Sequence, residues 1–290
     1  MRHIKAFLRL WKNTFAEWSR DGASRFATAL ALYTLLSLGP LLLLIVSVAG
    51  LIVGRNAAES EIVKAAQRGV GTRGAQAIQN VLENASQPGR GVSGTIIGFV
   101  ILIFALTGLF LQIQTALDTI WGIEPKPHQG IMGQLRHRLA SIGFLAGMLF
   151  LLFVVLVVTT GVTALVGGVT GGTIGVAVQI LNVIVSLLVF TLIFALIYKV
   201  IPEGNMRWRD CFVGAAVTAV LFTIGRTGIG IYLAHSKTSS YYGTAGSLVV
   251  LVIWIYYSAQ IFFIGAEFSQ VYASRHGRAI TPDKRARAIP

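Results

Sequence analysis

The chain has 290 residues, of which 54% are hydrophobic and only 12% charged, with a formal net charge of +13. A mean hydropathy of +0.72 is too apolar for a soluble domain of this size and places the chain among membrane proteins. Its single cysteine, Cys211, excludes an internal disulfide.

Residues 1–26 come first. Ile4, Phe7, Leu8, Trp11, Phe15 and Trp18 recur at helical spacing, with Arg2, Lys5, Arg9, Lys12 and Arg20 between and around them. The pattern predicts a cytoplasmic amphipathic helix rather than a cleaved signal peptide. Such a helix either lies flat in the inner headgroup layer, cations toward anionic lipid, or packs beneath a helical bundle.

Six apolar runs follow, at 27–53, 95–117, 139–165, 173–198, 211–233 and 245–271. Each approaches or exceeds the roughly 20 residues an α-helix needs to cross about 30 Å of hydrocarbon. Lipid offers no partner to free backbone groups, so the runs are predicted to be helices. The expected fold is all-α, a polytopic domain of six transmembrane helices over 27–272 that requires no strand. Pro40, in SLGPLLLL, predicts a kink in the first span. Close helix contacts are expected at Gly94 and Gly98, at Gly143 and Gly147, and along Gly225, Gly228 and Gly230.

The segment 55–93 is the one sizeable polar stretch between spans. AAESEIVKAAQRGV and RGAQAIQNVLENAS predict two short helices sharing Ile62, Val63, Val70, Ile78, Val81 and Leu82 as an apolar face, ending at Pro88 and Gly89. This periplasmic helical hairpin would cap the bundle or meet an envelope protein. The later loop GGVTGGT is short and uncharged, and carries no catalytic group.

Orientation follows from the cations. On one side fall Arg2, Lys5, Arg9, Lys12, Arg20, Arg25, Lys126, Arg136, Arg138, Lys199, Arg207, Arg209, Arg275, Arg278, Lys284, Arg285 and Arg287. On the other fall only Arg55, Lys64, Arg68, Arg73, Arg90 and Lys237. Both termini are therefore predicted cytoplasmic, with 273–290 as a basic cytoplasmic tail. The same asymmetry accounts for the basic charge without a nucleic-acid partner.

One charge remains inside a span. Arg226 interrupts VLFTIGRTGIG and stands about 22 Å in from Cys211, in the outer half. Asn182 lies at a similar depth, and Tyr242 just outside. Asp118, Asp210 and Glu267 fall at the inner level, so an Arg226–Glu267 pair would have to close an axial gap of about 15 Å. Arg226 either faces a wet, outward-opening cavity and offers its guanidinium to an anionic group, or snorkels to the outer headgroups. Asp118 and Glu267 are expected to bond Lys199, Arg207, Arg209 or the N-terminal cations as an inner gate or lock, with proton coupling as the alternative.

ALYTLLSLGPLLLL at 31–44, DTIWG at 118–122, IPEGNMRWRD at 201–210, IGRTGIGIYL at 224–233 and YYGTAGSLVVLVIWIYYSAQIFFIGAEFSQVYA at 241–273 together resemble the YihY/BrkB family of bacterial inner-membrane proteins. The resemblance runs to about residue 275 and implies six spans in a bacterial inner membrane. Members carry the older label "ribonuclease BN", which these residues do not support. His3, His128, His137, His235 and His276 are scattered through termini and loops without ligand spacing, and no acid–base pair, triad or phosphate loop is present. No catalytic residue, metal or cofactor is expected.

Two functions are left. One is a transporter or flippase for an anionic amphiphile or lipid, with Arg226, Asn182 and Tyr242 binding substrate. The other is a non-transporting scaffold in envelope assembly or lipid trafficking, using 55–93 or the basic inner helix. Oligomeric state is open. Transport demands a wet path to Arg226; a scaffold does not.

Overall fold

The computed structural model describes residues 2–85, 92–125, 173–235, 246–278, 280–282 and 286–288. In chain order it forms α1 (Arg2–Arg20), α2 (Ala23–Val53), α3 (Arg55–Ala85), α4 (Val92–Ile120), β1 (Ile123–Pro125), α5 (Thr173–Val200), β2 (Gly204–Asn205), α6 (Trp208–His235), α7 (Gly246–Arg275), β3 (Thr281–Pro282) and β4 (Ala286–Ala288). Helices cover five of the six apolar runs; the run 139–165 lies outside the described residues. Among the described residues, α2, α5, α6 and α7 contain stretches long and apolar enough to cross a bilayer.

The chain divides into two compact units. The first comprises Met1–Ala23, Gln114–Leu221 and Phe262–Pro290; the second comprises Ser24–Ile113 and Phe222–Ile261.

In the second unit, α2 continues through Pro40 from Ala23 to Val53. The proline removes the donor that would bond the Leu36 carbonyl, yet Leu42 and Val46 beyond it remain buried. α3 is two helices meeting at Gly71, whose φ of 75° and ψ of 175° only glycine adopts readily. That break falls between the two segments predicted from sequence. Ala77, Ile78 and Leu82 of α3 pack with Leu42 and Val46 of α2 and with Leu251 and Ile255 of α7, and Ile62, Val63 and Val81 close the same cluster. Val70 has no described side chain.

In the first unit, α1 divides its surface. Leu10 packs with Phe268 and Val271 of α7, and the Trp11 ring lies 5.3 Å from that of Phe268. Phe7, Leu8 and Phe15 are at least half exposed, a second apolar stripe of the kind an interfacial helix presents to lipid. α1 is thus both packed on α7 and apolar on an uncovered side.

The expectation of no strand is corrected. β1 pairs antiparallel with β4 and β2 with β3, so residues beyond α7 fold back onto the segments after α4 and α5 instead of forming a free tail. α7 ends in a Schellman turn: Arg278 N–H donates to the Ala273 carbonyl, Gly277 N–H donates to that of Ser274, and Gly277 takes φ 64°. This reversal aims the chain at the ladders. Runs of two or three residues have no readable period, which is why the sequence did not reveal them.

Candidate functional site

Asp118 is organised by the turn 201–206, the IPEGNM of the sequence. Asp118 is 2% exposed, and its Oδ1 accepts the Glu203 backbone N–H at 2.7 Å. Gln114, one turn earlier on α4, reaches Glu203 Oε1 at 3.4 Å. Lys199 is one of several cations expected to bond Asp118 or Glu267, but its Nζ donates instead to Asn205 Oδ1 and the Met206 carbonyl, each at 2.7 Å, and sits 6.0 Å over the Trp208 ring. Thus Asp118 caps a backbone turn, and among the described residues no cation forms an ion pair with it. The turn curls back within reach of both side chains and supplies the stronger local geometry for each.

The buried ion pair lies elsewhere. Asp210, in the first turn of α6 and 1% exposed, accepts from Arg278 Nη1 at 2.5 Å. The carboxylate faces the positive end of the α6 dipole, and the guanidinium is delivered by the Schellman turn. Sequence placed Asp210 at this level but assigned Arg278 only to a basic tail. Proximity across 68 residues was not legible without the strand pairing.

Glu267 is fully buried on α7, and neither carboxyl oxygen has a hydrogen-bond partner among the described residues. The charges that act on it are those of Asp21 and Arg20 at the α1–α2 junction. Burial holds the Asp21 carboxyl above its ordinary value, with the Arg20 guanidinium pulling it back. An N-terminal cation therefore does reach the field of Glu267, as a nearby charge and not a bonded partner.

Small residues bring α6 and α7 together beside it. A Cβ on Gly265 would overlap Thr218 Oγ1, and one on Gly214 would meet Ser269. In the space so made, Tyr198 of α5 donates to the Phe262 carbonyl at 2.7 Å and shares a 2.9 Å hydrogen bond with Thr218. Ser269 bonds the Asp210 carbonyl at 2.9 Å. Among the described residues no group of histidines, cysteines and carboxylates has metal-site spacing.

Arg226 falls in α6 and Asn182 in α5, but neither side chain is among those described; Tyr242 lies outside the described residues altogether. The register at Arg226 is fixed by its neighbour. A Cβ on Gly225 would collide with Tyr257 and Ile261 of α7, so α6 and α7 cross closely there. Glu267 lies six to ten residues further along α7, about 9–15 Å by helical rise.

The sequence model of the family described as Virulence factor BrkB matches residues 14–290. The chain belongs to this family. Among curated BrkB-family relatives, it is 40% identical over 72 residues to a UPF0761 membrane protein of Tolumonas auensis, covering 24% of each chain. It is 37% identical over 67 residues to a UPF0761 membrane protein of Ralstonia nicotianae, covering 23% of this chain and 15% of that one. The matched stretch thus spans a quarter or less of these relatives' length. No solved structure matches. Membership makes this an integral membrane protein of the UPF0761/BrkB group. Asp118, Glu203 and Asp210 all fall in segments that carry the family resemblance.

Proposed function

We propose that this BrkB-family chain is a six-span bacterial inner-membrane protein, both termini cytoplasmic, that binds and moves an anionic amphiphile such as a phospholipid or lipid precursor. Arg226 in the outer half is its anion-binding group, with Asn182 and Tyr242 as polar neighbours, and Asp118 with Glu267 belong to the inner gate. The chemistry is binding and passage rather than catalysis.

The observation that carries this reading is the α6–α7 register at Gly225. There α6 meets Tyr257 and Ile261 of α7, so the residues that α7 brings to the level of Arg226 carry no carboxylate. A guanidinium at that depth pairs with an anion or reaches water. A phosphate, which guanidinium binds through two parallel hydrogen bonds, is the natural ligand.

The scaffold alternative is weakened by α3. Its apolar residues are spent on α2 and α7, while Arg55 pairs with Glu59 and Lys64 with Glu61 on its exposed side. A partner there would meet solvated charges worth little as an anchor.

The test is lipid analysis of protein extracted in polymer-bounded native membrane discs, comparing wild type with Arg226→Ala and Arg226→Lys. Enrichment of an anionic lipid that Ala abolishes and Lys partly restores is expected. Equal lipids at bulk proportions in all three would leave the scaffold reading, with a snorkelling arginine.

A further inference from the structure

A groove of about 740 Å³ runs between α2 and α7 in the second unit, lined by Arg25, Ala29, Leu32, Leu35, Val252 and Tyr256. Its chemistry is divided along its length. Arg25, at one end, is exposed and has no ion-pair partner among the described residues. Beyond it the lining is apolar, with Leu32 56% and Val252 37% exposed. Ala29 leaves the space that a larger side chain would fill.

The polar atoms beside Arg25 are already engaged. Ser24 Oγ lies 3.0 Å from the Tyr256 hydroxyl and accepts from Gln260 Nε2 at 3.1 Å, while the Thr28 hydroxyl donates to the Ser24 carbonyl. This network pins the first turn of α2 to α7. It leaves the guanidinium as the group available to a ligand.

The dimensions select the ligand. From Arg25 to Leu35 is ten residues, about 15 Å at helical rise, which is half of the roughly 30 Å hydrocarbon core. A cation at the headgroup level followed by one leaflet's depth of apolar groove fits a single phospholipid. A free phosphate would use only the mouth, and a neutral lipid would leave Arg25 without a partner.

We propose that the α2–α7 groove holds one inner-leaflet anionic phospholipid, phosphate on Arg25 and an acyl chain along Ala29, Leu32 and Val252. The site deepens the reading of the protein as a handler of anionic lipid by naming where such a lipid docks on the inner side. It does not require Arg226. Because a lipid tail is as apolar as the groove, transfer from bilayer to groove gains little hydrophobic free energy. Selectivity must therefore come from the head group at Arg25, and tail packing adds retention without choosing among lipids.

The experiment is native mass spectrometry of the full chain in detergent supplemented with equal amounts of phosphatidylglycerol and phosphatidylcholine. Wild type should retain one phosphatidylglycerol in preference to phosphatidylcholine. Arg25→Ala should lower that preference about tenfold, with Arg25→Lys intermediate, and Ala29→Phe should reduce retention of both lipids. Arg25 is exposed, so its variants keep the fold; elution as a single symmetric species checks this. A photo-crosslinking amino acid at Leu32, in discs of the same lipid mixture, should capture phospholipid. Unchanged phosphatidylglycerol retention in Arg25→Ala and Ala29→Phe would overturn the site, as would crosslinking to a second copy of the chain. Arg226→Ala separates the two readings: it should leave this retention intact, and the groove stands if Arg25 variants lose lipid while Arg226 variants lose none.

Discussion

At the scale of single residues, the start of α6 depends on a charge pair. Asp210 is buried, its Oδ2 has no hydrogen-bond partner among the described residues, and Arg278 neutralises Oδ1. Removing the guanidinium strands a carboxylate that has lost its hydration, a change that typically costs about 3–5 kcal/mol. The α6 dipole offsets part of this, and Arg278 retains some solvent contact. Arg278→Ala should therefore lower stability by about 2 kcal/mol, read as a drop in the thermal midpoint in detergent. Combining it with Asp210→Asn should recover part of the loss, since the buried charge is then gone. An additive double variant would show that the pair is not coupled. Asp118 belongs to a different class, because its partner is a backbone amide and its removal loosens a turn instead of exposing a charge. Sequence singled out all three carboxylates, and the structure buries each of them. The sequence did not disclose their partners, which depend on how the 201–206 turn and the segment after Gly277 fold.

At the scale of elements, the seam between α6 and α7 is set by absent side chains. Gly265 faces Thr218 so closely that a methyl group has nowhere to go, whereas around Gly228 no neighbouring atom of the described residues comes within 4 Å of the position a Cβ would take. Gly265→Ala should destabilise by about 1–3 kcal/mol through forced separation of the helices, and Gly228→Ala should be neutral or slightly stabilising. Thermal midpoints of the two variants side by side check this; equal behaviour would contradict the seam. The sequence reading singled out Gly225 and Gly228 alike, because spacing alone does not say which glycine faces a neighbour. It did not single out Gly265. The buried face of α1 was only partly legible: Trp11 of the sequence-predicted stripe packs beside Phe268, but Leu10, outside that stripe, is the residue buried with Phe268 and Val271, while Leu8 and Phe15 stay exposed. The division of 55–85 into two helices was readable because RGVGTRG breaks the apolar period where glycine takes positive φ.

At the scale of the whole molecule, length and hydropathy carry most of what was legible. Apolar runs of spanning length become helices because lipid leaves the backbone no other partner, and α2, α5, α6 and α7 meet that requirement. The short ladders were illegible because two or three residues carry no pattern and their pairing is set by tertiary structure. Function turns on whether water reaches Arg226. Cys211, the only cysteine, is buried, so a Cys211→Ser background gives a silent chain for thiol labelling. On that background Arg226→Cys, in intact membranes, is exposed to a membrane-impermeant maleimide from the outer side. Labelling that a bulky anionic lipid analogue slows is the result expected of a wet, anion-binding cavity. A thiol that stays unreactive in the membrane, and reacts only after the protein is denatured, would contradict the carrier reading.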